Sequence, residues 1–191
     1  MNDTFNEALK VLQKSGVIVF KTDTVMGLGV NGEDAVAVKN LFELKSRSFD
    51  KPLYLLAYSV EEIYEYACNI SDYALDLMKK YFPGSLAIIL CSQKKLYTKP
   101  NEKGETIGVR IPKYPALLEF LQYVKMPILN TSANISGEPP LQTKEDVVKV
   151  FGNRVYYVEF REDIKMLGIP STIVDATKEK PVIIRQGAIE L

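Results

Sequence analysis

The chain has 191 residues, with 24 basic and 24 acidic side chains, two cysteines and no histidine. Zero net charge leaves no composition-level argument for nucleic acid, so a basic surface has to come from local clustering. The missing histidine excludes Ser-His and Cys-His nucleophile pairs and imidazole zinc sites, and two cysteines alone do not build a structural zinc site. A hydrophobic content of 47% suits one globular domain over 1–191. No apolar stretch approaches the roughly 18 residues that cross a bilayer, and the N-terminus lacks a signal-peptide pattern, so a cytoplasmic protein is expected. Cys68 and Cys91 read as two separate reduced core thiols.

In chain order, Thr4-x-x-Glu7 resembles a capping box opening an amphipathic helix over 4–14, with Phe5, Ala8, Leu9 and Leu12 on one face. A buried strand over 17–20 leads into a glycine-bearing loop over 21–32 and a helix over 34–45. A strand over 53–57 follows, then helices over 59–67 and 71–81, the second broken by Pro83-Gly84. Strands over 86–90 and 106–111 flank a basic hairpin-like loop over 94–104. The remainder predicts a helix over 116–123, a strand at 128–129, a helix over 143–150, and strands over 155–158, 172–174 and 182–184. This alternation predicts an α/β fold with a mixed sheet and flanking helices.

Five polar segments stand at the mouths of these elements, where ligands bind in open α/β sheets. Lys21 to Gly29 places Thr22 and Thr24 after a buried strand and two glycines after them. The segment could cradle a phosphate or a small zwitterion, although it has no P-loop pattern. Lys45, Arg47 and Lys51 cluster at a helix end, which also suits an ordinary solvated C-terminus. Arg110 shares a strand face with Gly108 and Thr106; that face either meets an anion or lies in solvent. Asn130 to Gly137, including Thr131, Ser132 and Asn134, has short polar side chains that suit close approach to a ligand or a plain turn. The fifth segment joins Ser171 before one strand to Arg185 at the end of another.

Taken together, Lys21-Thr-Asp-Thr-Val-x-Gly-Leu-Gly29, Lys45-x-Arg-x-x-x-Lys-Pro-Leu53, Phe82-Pro-Gly84, Gly108-Val-Arg-Ile-Pro112, Thr131-Ser-Ala-Asn-x-Ser-Gly137, Ser171-Thr-Ile-Val-Asp175 and Arg185-Gln-Gly187 resemble the YrdC family from about residue 17 to 187. The resemblance implies a YrdC-like twisted mixed sheet around a deep basic cavity. It also implies a nucleotidyltransferase that makes threonylcarbamoyl-AMP and pyrophosphate from L-threonine, bicarbonate and ATP with Mg²⁺. A partner enzyme complex would then transfer the group to the adenosine beside the anticodon of tRNAs reading ANN codons, giving N6-threonylcarbamoyladenosine. Carried over by motif, Thr24, Arg110, the main chain at Asn130, and Ser171 would hold threonine, with Arg110 pairing its carboxylate. Arg47, Lys51, Thr106, Ser132, Pro140 and Arg185 would line the ATP site, Lys45 would face the phosphates or the carbamate, and Thr22, Thr131 and Asn134 would lie nearby. No dedicated metal ligand is implied, since Mg²⁺ arrives mostly on the phosphates.

The chain departs from the family pattern at Met26, Ser48 and Leu56, the first and last of which bear on the threonine pocket. The resemblance also admits a YrdC-like paralogue that binds tRNA or double-stranded RNA without threonine-dependent adenylation. It admits a relative of the carbamoyl-transferring hydrogenase-maturation protein too, but that larger protein's zinc fingers have no counterpart here.

Overall fold

A computed structural model describes residues 3–191; Met1 and Asn2 lie outside them. The elements run α1 (Asp3–Gln13), β1 (Val17–Phe20), β2 (Gly27–Asn31), α2 (Ala35–Lys45), β3 (Tyr54–Leu56), α3 (Val60–Tyr66), β4 (Ala67–Cys68), α4 (Asp72–Tyr81), β5 (Leu86–Ser92), β6 (Thr106–Arg110), α5 (Pro115–Val124), β7 (Ile128–Ser132), α6 (Lys144–Phe151), β8 (Val155–Tyr157), β9 (Thr172–Asp175) and β10 (Val182–Arg185). Among the described residues the strands form one mixed sheet in the order β10-β9-β5-β6-β3-β7-β2-β1-β8, with β4 added beside β5. Pairs β9/β5, β6/β3 and β1/β8 are parallel and the rest antiparallel.

Strand periodicity divides the core between the two sheet faces. In β1, Val17 and Val19 join one cluster with Leu41 and Phe42 of α2, Met78 of α4 and Phe151 of α6. Ile18 and Phe20 join the other with Phe5 and Leu12 of α1 and Phe120 of α5. The ring of Phe5 meets Phe120 edge-on at 5.1 Å between centroids, so α1 and α5 seal one end of that second face. The rest of this face is where the cavity described below opens.

Several expectations are corrected. The glycine-bearing loop ends at Met26, because Gly27 to Asn31 pairs with both β1 and β7. Its glycines serve packing: a Cβ on Gly29 would stand 2.7 Å from Phe20 and 3.0 Å from Ile128, so only a bare Cα fits under the Phe20 ring. The strand predicted at 128–129 continues through Ser132, since the same ladder pairs Asn130 with Gly29 and Ser132 with Gly27. Thr4 lies inside α1, and Glu7 pairs with Lys10 at 2.7 Å in place of a capping box. Ser59 and Thr143 do cap their helices, and Thr143 with Asp146 completes a reciprocal box. The cysteines, expected as separate core thiols, are both half-buried and stand directly opposite one another on β4 and β5.

Candidate active site

A cavity of about 580 Å³ opens where the ends of β1, β6, β7, β9 and β10 converge with the C-terminus of α2. It is lined by Lys45, Arg47, Lys51, Arg110 and Arg185, five cations drawn from three separate stretches of chain. Asp50 is the carboxylate among the lining residues. A hollow lined in this way has a positive field, and low-dielectric walls strengthen it.

Arg110, at the end of β6, is only 6% exposed, which settles its strand face as interior. Its Nη2 donates to Asp23 Oδ1 at 2.6 Å, its Nη1 to Thr24 Oγ1 at 2.7 Å and its Nε to the Gly84 carbonyl at 2.9 Å. Thr24 Oγ1 in turn lies 3.0 Å from Thr22 Oγ1, which donates to the Val25 carbonyl at 2.7 Å. The order of donors is therefore Arg110 to Thr24 to Thr22 to main chain, a polarised run that holds the loop between β1 and β2. Burial lowers the Arg110 pKa, and the Asp23 charge opposes that shift. A guanidinium has five N–H groups. Three are engaged here, which leaves one on each terminal nitrogen.

Lys45 is the last residue of α2 and is 1% exposed. Its Nζ donates to Ser132 O at 2.6 Å, Asn134 O at 2.9 Å and Asn134 Oδ1 at 2.6 Å. All three ammonium donors are spent on the segment after β7. Asn134 Oδ1 also accepts from Ser132 Oγ at 2.8 Å, while its amide nitrogen donates to the Glu138 carbonyl. Burial, with Arg47 nearby, pulls the Lys45 pKa down to about 7. Three oxygens in hydrogen-bond contact favour the charged form, and we assign Lys45 as an ammonium on that geometry. Lys45, expected to face the phosphates or the carbamate, lines the cavity and holds the loop that forms its wall.

Arg47 follows Ser46, whose left-handed backbone (φ 51°) ends α2 and turns the chain towards the cavity. Its Nε and Nη2 donate to the carbonyls of Lys51 and Pro52 at 2.8 and 3.0 Å, and its guanidinium lies 5.7 Å from the Phe42 ring centre. Arg185 donates twice to the Ser171 carbonyl, at 3.1 and 2.7 Å, and so fixes the entry to β9. Burial lowers the pKa of both guanidinium groups.

Thr22, Thr24, Asn130, Thr131, Ser132, Asn134 and Ser171 join the five cations in the lining. Thr106 and Pro140 do not line the cavity. Thr106 begins β6, four residues from Arg110, which at roughly 3.3 Å per residue puts it at the strand's far end, where it is exposed. Pro140 lies beyond the loop, just before Leu141, whose amide bonds back to Ala133.

Sequence reasoning missed Tyr54, Ala87, Ile173 and Ile184, which also line the cavity. Tyr54 stands between Asn130 and Gly108 across the sheet. Burial raises its pKa, and Arg185 and Arg47 oppose the rise, so its ring sits within reach of both charges. The detectable signal was Gly108: a Cβ there would lie 2.1 Å from the Tyr54 ring. Gly108→Ala is expected to drive the ring into the cavity and destabilise the fold by about 1–3 kcal/mol, the usual cost of overpacking. Urea unfolding would register the loss, and the same change in Tyr54→Ala should be close to neutral.

The sequence model of the Sua5/YciO/YrdC family, described as telomere recombination, matches residues 10–187. The threonylcarbamoyl-AMP synthase of Pyrococcus abyssi is 31% identical over 94% of this chain and 53% of its own length. That of Vibrio campbellii is 31% identical over 96% of this chain and 98% of its own. The chain therefore spans about half of the first relative and nearly all of the second. The crystal structure of P. abyssi Sua5 complexed with L-threonine superposes with a TM-score of 0.85 at 31% identity, covering 96% of this chain and 54% of that one.

Proposed function

Since the chain belongs to the Sua5/YciO/YrdC family, we propose that it is a threonylcarbamoyl-AMP synthase, acting on L-threonine, bicarbonate and ATP. The observation that carries this reading is the convergence of Lys45, Arg47, Lys51, Arg110 and Arg185 on one cavity with the Asn130–Gly137 segment in its wall. No general base is needed to begin: the free threonine amine condenses with bicarbonate, a C–N bond forming as a C–O bond breaks, to give a carbamate and water. A carbamate oxygen attacks the α-phosphorus of ATP, the bond to the β-phosphate oxygen breaks, and pyrophosphate leaves.

Both reactants are anions, so positioning and charge neutralisation dominate the barrier. Arg110 keeps one free N–H on each terminal nitrogen, enough for an end-on grip on the threonine carboxylate. Thr24, Asn130 and Ser171 line the same cavity and would serve as neutral polar contacts for threonine. Arg47, Lys51 and Arg185 are the cations for the triphosphate, and Ser132 with the main chain of the loop supplies further donors. Lys45 acts through this loop as a positioning residue. Mg²⁺, riding on the phosphates, would neutralise the leaving group when bound. Asp50 is the wall residue chemically suited to it, and phosphate and water oxygens would complete the shell.

The product is a reactive mixed anhydride, so a transfer enzyme complex acting on tRNA is the fitting consumer, and the cytoplasm the fitting place. No described helix is long and apolar enough to cross a membrane. Pyrophosphate release with ATP and Mg²⁺ tests the proposal, omitting threonine and bicarbonate in turn. Release is expected only when both are present. Release independent of threonine would overturn the reading, and salt-sensitive tRNA binding without turnover would favour the RNA-binding alternative. Equal release with serine would remove only the selectivity for threonine, which Met26 in the cavity wall bears on.

A further inference from the structure

The chemistry proposed above leaves both thiols of the chain unused, and the fold brings them together from 23 positions apart in sequence. Cys68 ends the short strand β4, and Cys91 is its direct partner on β5. The Gln93 amide donates to the Tyr66 carbonyl at 3.0 Å, two steps further along the same ladder. Pairs in an antiparallel ladder alternate, so Cys68 and Cys91 are again a pair that exchanges main-chain hydrogen bonds, with α-carbons about 5.5 Å apart. That separation lies inside the span a disulfide bridges, and directly opposite residues send their side chains to the same face. Both cysteines are only half-buried, so solvent reaches them.

We propose that Cys68 and Cys91 are a modification site: a dithiol that closes to a cross-strand disulfide by exchange with a low-molecular-weight disulfide. One protein thiolate attacks the small disulfide, forming a mixed disulfide and releasing one small thiol. The opposite cysteine, as its thiolate, then attacks the protein-side sulfur of the mixed disulfide and displaces the second small thiol. Two protein thiols are oxidised to one S–S bond, the small disulfide is reduced to two thiols, and the two protons pass to them. The closed loop contains α4 and the Gly84–Ser85 turn. In that turn the Gly84 carbonyl accepts from Arg110, and the Ser85 hydroxyl donates to Asp23 at 3.3 Å. The crosslink therefore ties both ends of the segment that buttresses the Arg110–Asp23 pair, while Cys91 itself lies four residues along β5 from the cavity-lining Ala87, roughly 13 Å.

The test incubates the folded full-length chain with excess oxidised glutathione, then denatures it without reductant, alkylates it and measures the intact mass. The expected product is a monomer lighter by two hydrogens that takes no alkyl group, reverts with dithiothreitol and melts at a higher temperature than the reduced chain. Cys68→Ser and Cys91→Ser should each stop at a glutathione adduct. A wild-type chain that retains two alkylatable thiols, accumulates glutathione adducts, or crosslinks only between chains would overturn the proposal.

Discussion

Arg110→Ala is expected to cost about 3–5 kcal/mol of stability, because it strands a buried carboxylate. Asp23 is 8% exposed, and its ion pair with Arg110 measures 2.6 Å. Without the guanidinium it retains the longer contact from Ser85 at 3.3 Å, and Thr24 loses the donor that orders its hydroxyl. The same argument predicts a partial rescue. Asp23→Asn removes the buried charge, so the double variant Arg110→Ala/Asp23→Asn should be more stable than Arg110→Ala alone. A double-mutant cycle in urea reads this directly. Additive effects would show that the two side chains do not depend on one another. In the pyrophosphate assay both Arg110 variants should lose at least about tenfold, since a charge-assisted hydrogen bond contributes roughly 1.5–3 kcal/mol. The double variant, being better folded, then separates loss of threonine binding from loss of the fold.

Lys45→Met is expected to abolish nucleotide turnover by a different route. Methionine fills similar space but leaves Ser132 O, Asn134 O and Asn134 Oδ1 without their shared donor. Asn134 Oδ1 keeps its bond from Ser132 Oγ, but a buried carbonyl left without a donor costs about 1–3 kcal/mol, enough to release the loop through Gly137. The expected signature is a loss of at least about tenfold in ATP affinity, with raised hydrogen exchange confined to the segment after β7. A variant that binds ATP normally yet fails in turnover would instead show that Lys45 acts on the reacting atoms. Arg47→Ala is the useful comparison: it removes a cavity-facing cation without touching the Lys45 network.

Local signals carried much of the architecture. The continuous burial of β1 and the capping of α3 by Ser59 and of α6 by Thr143 follow from neighbouring residues, and each was readable in the chain. The strand Gly27–Asn31 was not, because two glycines read as loop until Phe20 is known to cover them. Lys45 and Arg110 were legible as site residues by motif, but their partners were not. The acceptors of Lys45 lie 87 and 89 positions away, and the carboxylate facing Arg110 lies 87 positions away. Tyr54 had no signal of its own, and Thr106 carried a motif match that strand length places outside the cavity.

Composition and motif order, by themselves, determined that this chain builds an α/β sheet and that its chemistry has to run on cations and positioning, since without histidine few other catalysts remain. Which of those cations are free to meet a ligand was decided only by folding. Lys45 is consumed by carbonyls, Arg110 gives three of its five N–H groups to Asp23, Thr24 and Gly84, and Cys68 is set against Cys91, because hydrogen bonds and ladder register join residues by distance in space, which sequence separation does not encode.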